Sequence, residues 1–235
     1  MKTVHLSDVL INNPKTVEDI VGVPNGFKTS EMVMDNMFVM FHRKNDNHPL
    51  MVKSNKWASY QSRGEIAEGV VVVEGGKMLV VAPTESDSEG LLWSSAAVSG
   101  GGKTTPDRLV AFYDWSGNAN TAAQITHAEC SSAAYAPGFC AQYSRVNANG
   151  KGLTAGRWWL PSEGELMMIY ANMRKINYCL SLIEGTTQLS ETWYWSSTEY
   201  NESFAWHLNL YDGIANGHAK TAVKGRVRPV SAFLI

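Results

Sequence analysis

Four glutamates are of a type suited to catalysis, because a pair of carboxylates is the usual apparatus of glycoside hydrolysis. They are Glu163, Glu165, Glu199 and Glu202. The first two follow Ser162 in a sequence that fits a capping box, in which the second glutamate binds the backbone at the helix start. The helix dipole also favours carboxylates at that end. We therefore expect Glu163 and Glu165 to be structural and the protein to have no enzymatic activity; a hydrolase using these four carboxylates is the alternative.

A glycine-rich segment, residues 99–105, resembles a phosphate-binding loop, whose backbone N–H groups surround the phosphates of a nucleotide. That motif requires a glycine five residues before Gly102, where this chain has Ala97. Pro106 follows at a point where a helix should be propagating. We therefore expect a flexible turn here and no nucleotide cofactor.

The histidines and cysteines show no metal-binding pattern. The six histidines stand in no H-x-H or H-E-x-x-H spacing. The three cysteines, Cys130, Cys140 and Cys179, include no C-x-x-C pair, so a disulfide framework does not hold the chain together. We expect buried thiols and no metal, and a bridge between Cys130 and Cys140 stays open.

Composition excludes several classes of function. The chain has 235 residues, 44% of them hydrophobic, and its 20 basic and 22 acidic side chains give a net charge of −2. This balance supplies no field for nucleic acid. The longest aliphatic runs, residues 70–73 and 78–81, are far shorter than a membrane span, so we expect no membrane insertion. Residues 1–8 lack the apolar segment of a signal peptide, and we expect none in this chain.

Three segments have clear secondary-structure signals. Residues 70–74 and 77–81 are apolar runs joined by Gly75-Gly76, which predicts a β-hairpin buried on both faces. After Ser162, apolar residues recur at helical spacing through Ile176, which predicts a long helix. A second helix is predicted in the alanine-rich residues 118–135.

The stretch after Ser203 alternates in the manner of a half-buried strand. Trp206, Leu208 and Leu210 form the apolar set, and Asp212-Gly213 predicts a two-residue hairpin turn. The side chains expected to face outward are His207, Asn209 and Tyr211 on the first strand, with Ile214, Asn216 and His218 beside them on the second.

The first 56 residues differ in composition from the remainder. Residues 32–41 contain four methionines among aliphatic and aromatic residues, which predicts a strand with soft core side chains. We divide the chain into residues 1–56, an N-terminal extension that contains β-structure and would serve as an assembly segment or as extra strands, and a domain of residues 57–235. Val227, Val230 and Phe233 predict a closing strand, which Pro229 places at the edge of a sheet or at the end of the strand. Helices flanked by small antiparallel sheets make the class α+β.

A family resemblance rests on four segments. They resemble bacterial and phage domains with the C-type lectin fold, in the branch similar to formylglycine-generating enzymes and especially the variable proteins of diversity-generating retroelements. The resemblance covers roughly residues 57–235. The segments are Gly156-Arg157-Trp158-Trp159-Leu160-Pro161-Ser162-Glu163-Gly164-Glu165-Leu166, Trp193-Tyr194-Trp195-Ser196-Ser197-Thr198-Glu199-Tyr200, Arg226-Val227-Arg228-Pro229-Val230 and, upstream, Asp114-Trp115-Ser116-Gly117-Asn118-Ala119-Asn120-Thr121-Ala122.

The resemblance implies a candidate variable region at residues 200–225. In such proteins adenine-directed mutagenesis diversifies a C-terminal stretch, so that one scaffold presents changing side chains. Between Ser203 and Gly225 only Trp206, Lys220 and Lys224 are of types that this mutagenesis does not produce. The predicted ligand-binding residues are Tyr200, Asn201, Ser203, Phe204, His207, Asn209, Tyr211, Asp212, Ile214, Asn216, His218, Thr221 and Val223.

The function expected from the resemblance is non-catalytic binding of a protein or glycan receptor on a cell surface. The protein would sit in the tail of a virion if it is phage-encoded, and on the bacterial surface otherwise. The alternative is a bacterial adhesin or lectin-like domain of fixed specificity. The oligomeric state stays open, with a homo-trimer as one arrangement.

Two relatives of that fold are set aside by their motifs. Formylglycine-generating enzymes act through C-terminal cysteines, and no cysteine follows Cys179 here. Calcium-dependent sugar-binding lectins carry Glu-Pro-Asn or Gln-Pro-Asp together with Trp-Asn-Asp, and this chain has none of these triplets. We therefore expect neither formylglycine chemistry nor calcium-bridged sugar binding.

Overall fold

The computed structural model describes residues 36–232. Within this range the chain forms ten strands, six α-helices and one short 3₁₀ helix at Ser54–Lys56, most of the elements short and joined by loops. The strands are β1 Met37–His42, β2 Pro49–Lys53, β3 Gly69–Glu74, β4 Lys77–Val81, β5 Arg145–Val146, β6 Gly152–Leu153, β7 Trp193–Glu199, β8 Phe204–Asn209, β9 Ala215–Ala219 and β10 Val230–Ser231. The helices are α1 Trp57–Gln61, α2 Arg108–Phe112, α3 Gly117–Gln124, α4 Ala128–Ser131, α5 Ala136–Gln142 and α6 Glu163–Ser181, in the order of the chain.

The larger sheet has five antiparallel strands in the order β10-β4-β3-β1-β2. The predicted hairpin is confirmed as β3 and β4, and its turn residues Gly75 and Gly76 have positive φ angles of 55° and 74°, a backbone conformation that glycine adopts without strain. Four consecutive residues of β3 are buried, as the apolar run predicts. The predicted closing strand is β10, at an edge of this sheet, and Phe233 lies outside the described residues.

The described part of the N-terminal segment belongs to the same sheet. β1 pairs with β3 and β2 pairs with β1, so a division at residue 56 falls inside one sheet. Met37 and Met40 of β1 are fully buried, in agreement with a role as core side chains. Met32 and Met34 lie outside the described residues.

The long helix after Ser162 is confirmed as α6, and its capping box of Ser162 and Glu165 is present. The predicted helix at residues 118–135 is wrong in extent, because the chain forms three short helices, α3 to α5, over this stretch and the residues after it. His127 and Ser132 have extended backbone angles that end one helix before the next begins, and Pro137 belongs to the first turn of α5, where proline is tolerated.

The smaller sheet has three antiparallel strands in the order β7-β8-β9. Trp93, Leu160, Trp195 and Val227 form a buried cluster on one side of it, together with Cys130 and Cys140. All three cysteines are buried free thiols. The described chain is therefore a loop-rich α+β structure with small antiparallel sheets, and that part of the predicted class is confirmed.

The C-terminal segment is joined to the middle of the chain by ion pairs. The side chain of Glu85, 2% exposed, binds Arg226 at 3.0 Å and Arg228 at 2.8 Å. Val230 pairs with Val81 in the larger sheet. Residues near 85 and near 228 thus stabilise each other across more than half the chain.

Candidate functional site

The candidate region contains the predicted hairpin, formed by β8 and β9 with His207 opposite Asn216. The connection runs from residue 210 to residue 214, so the predicted two-residue turn is wrong in length. Gly213 has a φ of 75°, and a Cβ there would lie 2.7 Å from the ring of Tyr170 on α6. The tip of the hairpin therefore rests against the long helix.

The outward orientation predicted for His207 is wrong. Its side chain is 1% exposed, and its ring stacks on Trp195 with centroids 4.2 Å apart and planes 15° apart. Trp206 and Leu208, on the other face of β8, are buried as predicted. β8 is thus buried on both faces, a condition that alternation alone does not reveal.

The face of β8 that carries His207 is covered by the chain that follows β9. Leu91 forms an isolated bridge with Gly225, and a Cβ at Gly225 would lie 2.2 Å from Nε2 of His207. This close approach excludes solvent from the ring, and Nε2 has no hydrogen-bond partner. Nδ1 lies 2.7 Å from Nδ1 of His218, so one ring donates to the other. Burial, with the neighbouring His218, lowers the pKa of His207 to about 3.

The remaining predicted residues divide between two ends of the hairpin. At the tip, Tyr211 is 70% exposed and Ile214 46%. At the opposite end, Phe204 is 39% exposed, and Asn216 of β9 lies exposed between the ends. The exposed set is Asn201, Ser203, Phe204, Tyr211, Asp212, Ile214, Asn216 and Thr221, and the half-buried set is Tyr200, Asn209, His218 and Val223. We call the exposed set the hairpin surface.

The glycine-rich loop holds an internal carboxylate. The backbone N–H groups of Gly100 and Gly102 donate to the carboxylate of Glu199, at 2.9 and 3.3 Å. The expected absence of helix propagation after the loop agrees with the structure, where α2 starts only at Arg108. Since Glu199 already occupies these donors, the loop is an anion-binding turn that serves the fold.

Lys220 completes this arrangement, and the sequence did not predict its burial or its pairing with Glu199. Its ammonium lies 2.5 Å from Glu199, 2.7 Å from the carbonyl of Val98 and 4.3 Å from the ring centroid of Trp93. The Lys220 side chain is fully buried, and burial lowers its pKa while Glu199 opposes that shift. A lone lysine in a polar hairpin gives no signal of burial, because its partner is 21 residues away and the loop around it farther still.

The four glutamates of the hydrolase alternative do not form one accessible site. Glu163, Glu165 and Glu199 are buried, and Glu202 is exposed. Glu165 accepts hydrogen bonds from the backbone of Ser162 at 2.9 Å and the indole of Trp159 at 3.1 Å, as its capping role requires. In residues 36–232 no three acidic, histidine or cysteine side chains are grouped to hold a metal ion. No helix within the same range is long and apolar enough to cross a bilayer.

Comparison with known proteins adds a distant structural similarity. No protein-family model matches the chain, and no curated protein matches it. Among solved structures, a fimbrial protein from Bacteroides ovatus ATCC 8483 is 18% identical, with a TM-score of 0.43 over 66% of this chain and 35% of that chain. The chain spans about a third of the length of that protein. Similarity at this level assigns neither a fold family nor a function.

Proposed function

We propose that the protein is a non-catalytic ligand-binding protein with a C-type lectin fold, which presents the hairpin surface to a protein or glycan receptor on a cell. In this proposal it is a variable protein of a diversity-generating retroelement, carried in a phage tail if phage-encoded and on the bacterial surface otherwise. The sequence resemblance over residues 57–235 motivates the family, and the exposed hairpin supplies the surface.

The observation that carries the proposal is the composition and exposure of the hairpin surface. It combines aromatic rings at Phe204 and Tyr211, amides at Asn201 and Asn216 and small hydroxyl side chains. Such mixtures suit adaptable recognition, because aromatic rings supply contact area and polar groups adjust to the partner. Tyr211 in particular is 70% exposed.

The framework below this surface supports the same proposal. Two of the three residues that adenine-directed mutagenesis does not produce, Trp206 and Lys220, are buried. Trp206 donates from its indole to the carbonyl of Thr105 at 2.8 Å, and Lys220 binds Glu199. Exchange of the exposed residues would leave these contacts in place.

The first test is genetic. DNA downstream of the gene is sequenced for an imperfect copy of codons 195–230 that differs almost only at adenines, beside a reverse transcriptase. Its presence is the expected result. Its absence overturns the retroelement assignment and leaves the alternative of an adhesin of fixed specificity.

The second test measures binding to a panel of bacterial cells and glycans. The triple variant Tyr211→Ala, Ile214→Ala, Asn216→Ala should lose at least about tenfold in affinity for any partner found, while its melting temperature stays within a few degrees of wild type. Tyr178→Ala, at a 49% exposed tyrosine of α6, is the control and should bind normally. Unchanged binding by the triple variant would remove the hairpin surface from the site.

A further inference from the structure

A separate open cavity lies beside α6, outside the β8–β9 hairpin. It has a volume of about 380 Å³, within the range of ligand-binding pockets. Its walls are mainly apolar, and we call it the helix pocket. Its lining includes Phe112 and Trp115, Lys77 at the start of β4, and three residues of α6: Met167, Met168 and Ala171.

The helix pocket has a cation beside an apolar floor. The ammonium of Lys77 lies 5.4 Å from the ring centroid of Trp115 and forms no ion pair with another described residue. Glu74, opposite Lys77 in the β3–β4 hairpin, also lines the pocket, but its carboxylate accepts a hydrogen bond from Asn172 and forms no ion pair with Lys77. The side of the pocket at Lys77 is therefore complementary to an apolar group that carries a negative charge close by.

The surroundings of the pocket suit a polypeptide. Leu109 is 67% exposed and precedes Phe112 by three residues on α2, so the two side chains lie on the same side of that helix. Tyr113 is 82% exposed. On the other side, Met167 is one helical turn from Tyr170, which contacts the hairpin tip at Gly213. Exposed apolar side chains thus continue from the pocket along α2, and half-buried ones along α6, as at protein-docking surfaces.

We propose that the helix pocket binds the C-terminal residue of a partner polypeptide, with an aromatic or branched aliphatic side chain against Trp115 and Met167 and the α-carboxylate at Lys77. The short distance between the cation and the indole requires the charge to lie within one residue of the apolar group. A C-terminal residue carries both on the same Cα. The site uses no residue of the hairpin surface, so it stands independently of the proposed function.

The experiment follows the ¹³C-methyl resonances of Met167 and Met168 during titration with two probes. The probes are N-acetyl-L-phenylalanine and its amide, N-acetyl-L-phenylalaninamide, which differ only in the carboxylate. The free acid should shift both methyl resonances with a Kd of about 1 mM, and the amide should bind about threefold to fivefold more weakly. Absence of shifts, or equal affinity for the two probes, overturns the proposal.

Variants separate the two parts of the site. Lys77→Met should abolish the preference for the acid, and Ala171→Trp, at an exposed position of α6, should block both probes by filling the pocket. Lys56→Met, an exposed lysine outside the pocket, is the matched control and should bind as wild type. Unchanged methyl resonances of Met37 and Met40 in the sheet verify folding. Binding that survives Ala171→Trp would also overturn the assignment.

Discussion

Glu163 is a buried carboxyl group at the start of α6. Neither of its oxygens makes a hydrogen bond of normal geometry, and burial, opposed in part by the nearby Ser196 side chain, raises its pKa to about 8. The same cause raises the pKa of Glu165 to about 7, although that group accepts two hydrogen bonds. Both groups therefore hold their protons more tightly in the folded than in the unfolded protein, and each stabilises the fold most fully below its unfolded pKa, near 4.5.

This stabilisation is lost as pH rises through the folded pKa values. Between pH 6 and pH 9 the free energy of unfolding should fall, and Glu163→Gln should remove about 2–3 kcal/mol of that fall. The measurement is urea denaturation at both pH values. Glu202→Gln, at an exposed carboxylate, should leave the fall unchanged. A variant at Glu163 with the wild-type pH dependence would contradict a buried, protonated carboxyl.

His207 shows why the orientation of single residues exceeds what the sequence can predict. Alternation correctly placed Trp206 and Leu208 inward. Alternation could not predict that the opposite face is also covered, because the covering residues, Leu91 and Gly225, are more than 100 residues apart in the chain. Where nothing covers the hairpin, as at Tyr211 and Ile214, the predicted exposure is confirmed.

The glycine-rich loop and the hairpin are joined by the buried pair of Lys220 and Glu199. Both side chains have no exposure, and the loop contributes N–H groups from Gly100 and Gly102 to the same carboxylate. Removing one charge of a buried pair leaves the other uncompensated, which is usually more costly than removing both.

A double-mutant cycle measures this coupling. Lys220→Met should lower the free energy of unfolding by about 3–5 kcal/mol, and the double variant with Glu199→Gln should recover part of that loss. The measurement is chemical denaturation of the two single variants and the double variant. Lys224→Met, at an exposed lysine, should change stability by less than about 0.5 kcal/mol. Strict additivity of the two substitutions would contradict the coupling.

Local sequence signals predicted those helix and turn positions that depend on local interactions. The capping box located the start of α6, and Gly75-Gly76 located the β3–β4 turn. The alanine-rich residues 118–135 indicated a helix but not where helices begin and end. Their division into α3 to α5 by extended residues was therefore not predicted. The β7–β8–β9 sheet was only partly predicted, because its register depends on distant contacts.

The molecule encloses all three of its thiols. Cys130, Cys140 and Cys179 are free and fully buried, and burial raises the pKa of Cys130 to about 12 and that of Cys179 to about 11. A thiol that is neither ionised nor accessible reacts slowly with a disulfide reagent.

Ellman's reagent should therefore detect almost no thiol in the native protein and three in denaturant without reductant. Unfolding with and without dithiothreitol serves as the control, because a bridge between Cys130 and Cys140 would leave one reactive thiol before reduction. Rapid reaction of the native protein would contradict the burial of these side chains.

The ion pairs of Glu85 with Arg226 and Arg228 have a consequence for synthesis on the ribosome. Residues near 85 emerge long before their partners are translated, so this carboxylate stays unpaired until residues 226–228 are made. The strand that completes the larger sheet, at Val230, also emerges late. Neither this ion-pair cluster nor the complete larger sheet can therefore form until residues 226–231 have left the ribosome, and in the interval the apolar strands of the nascent chain are open to aggregation.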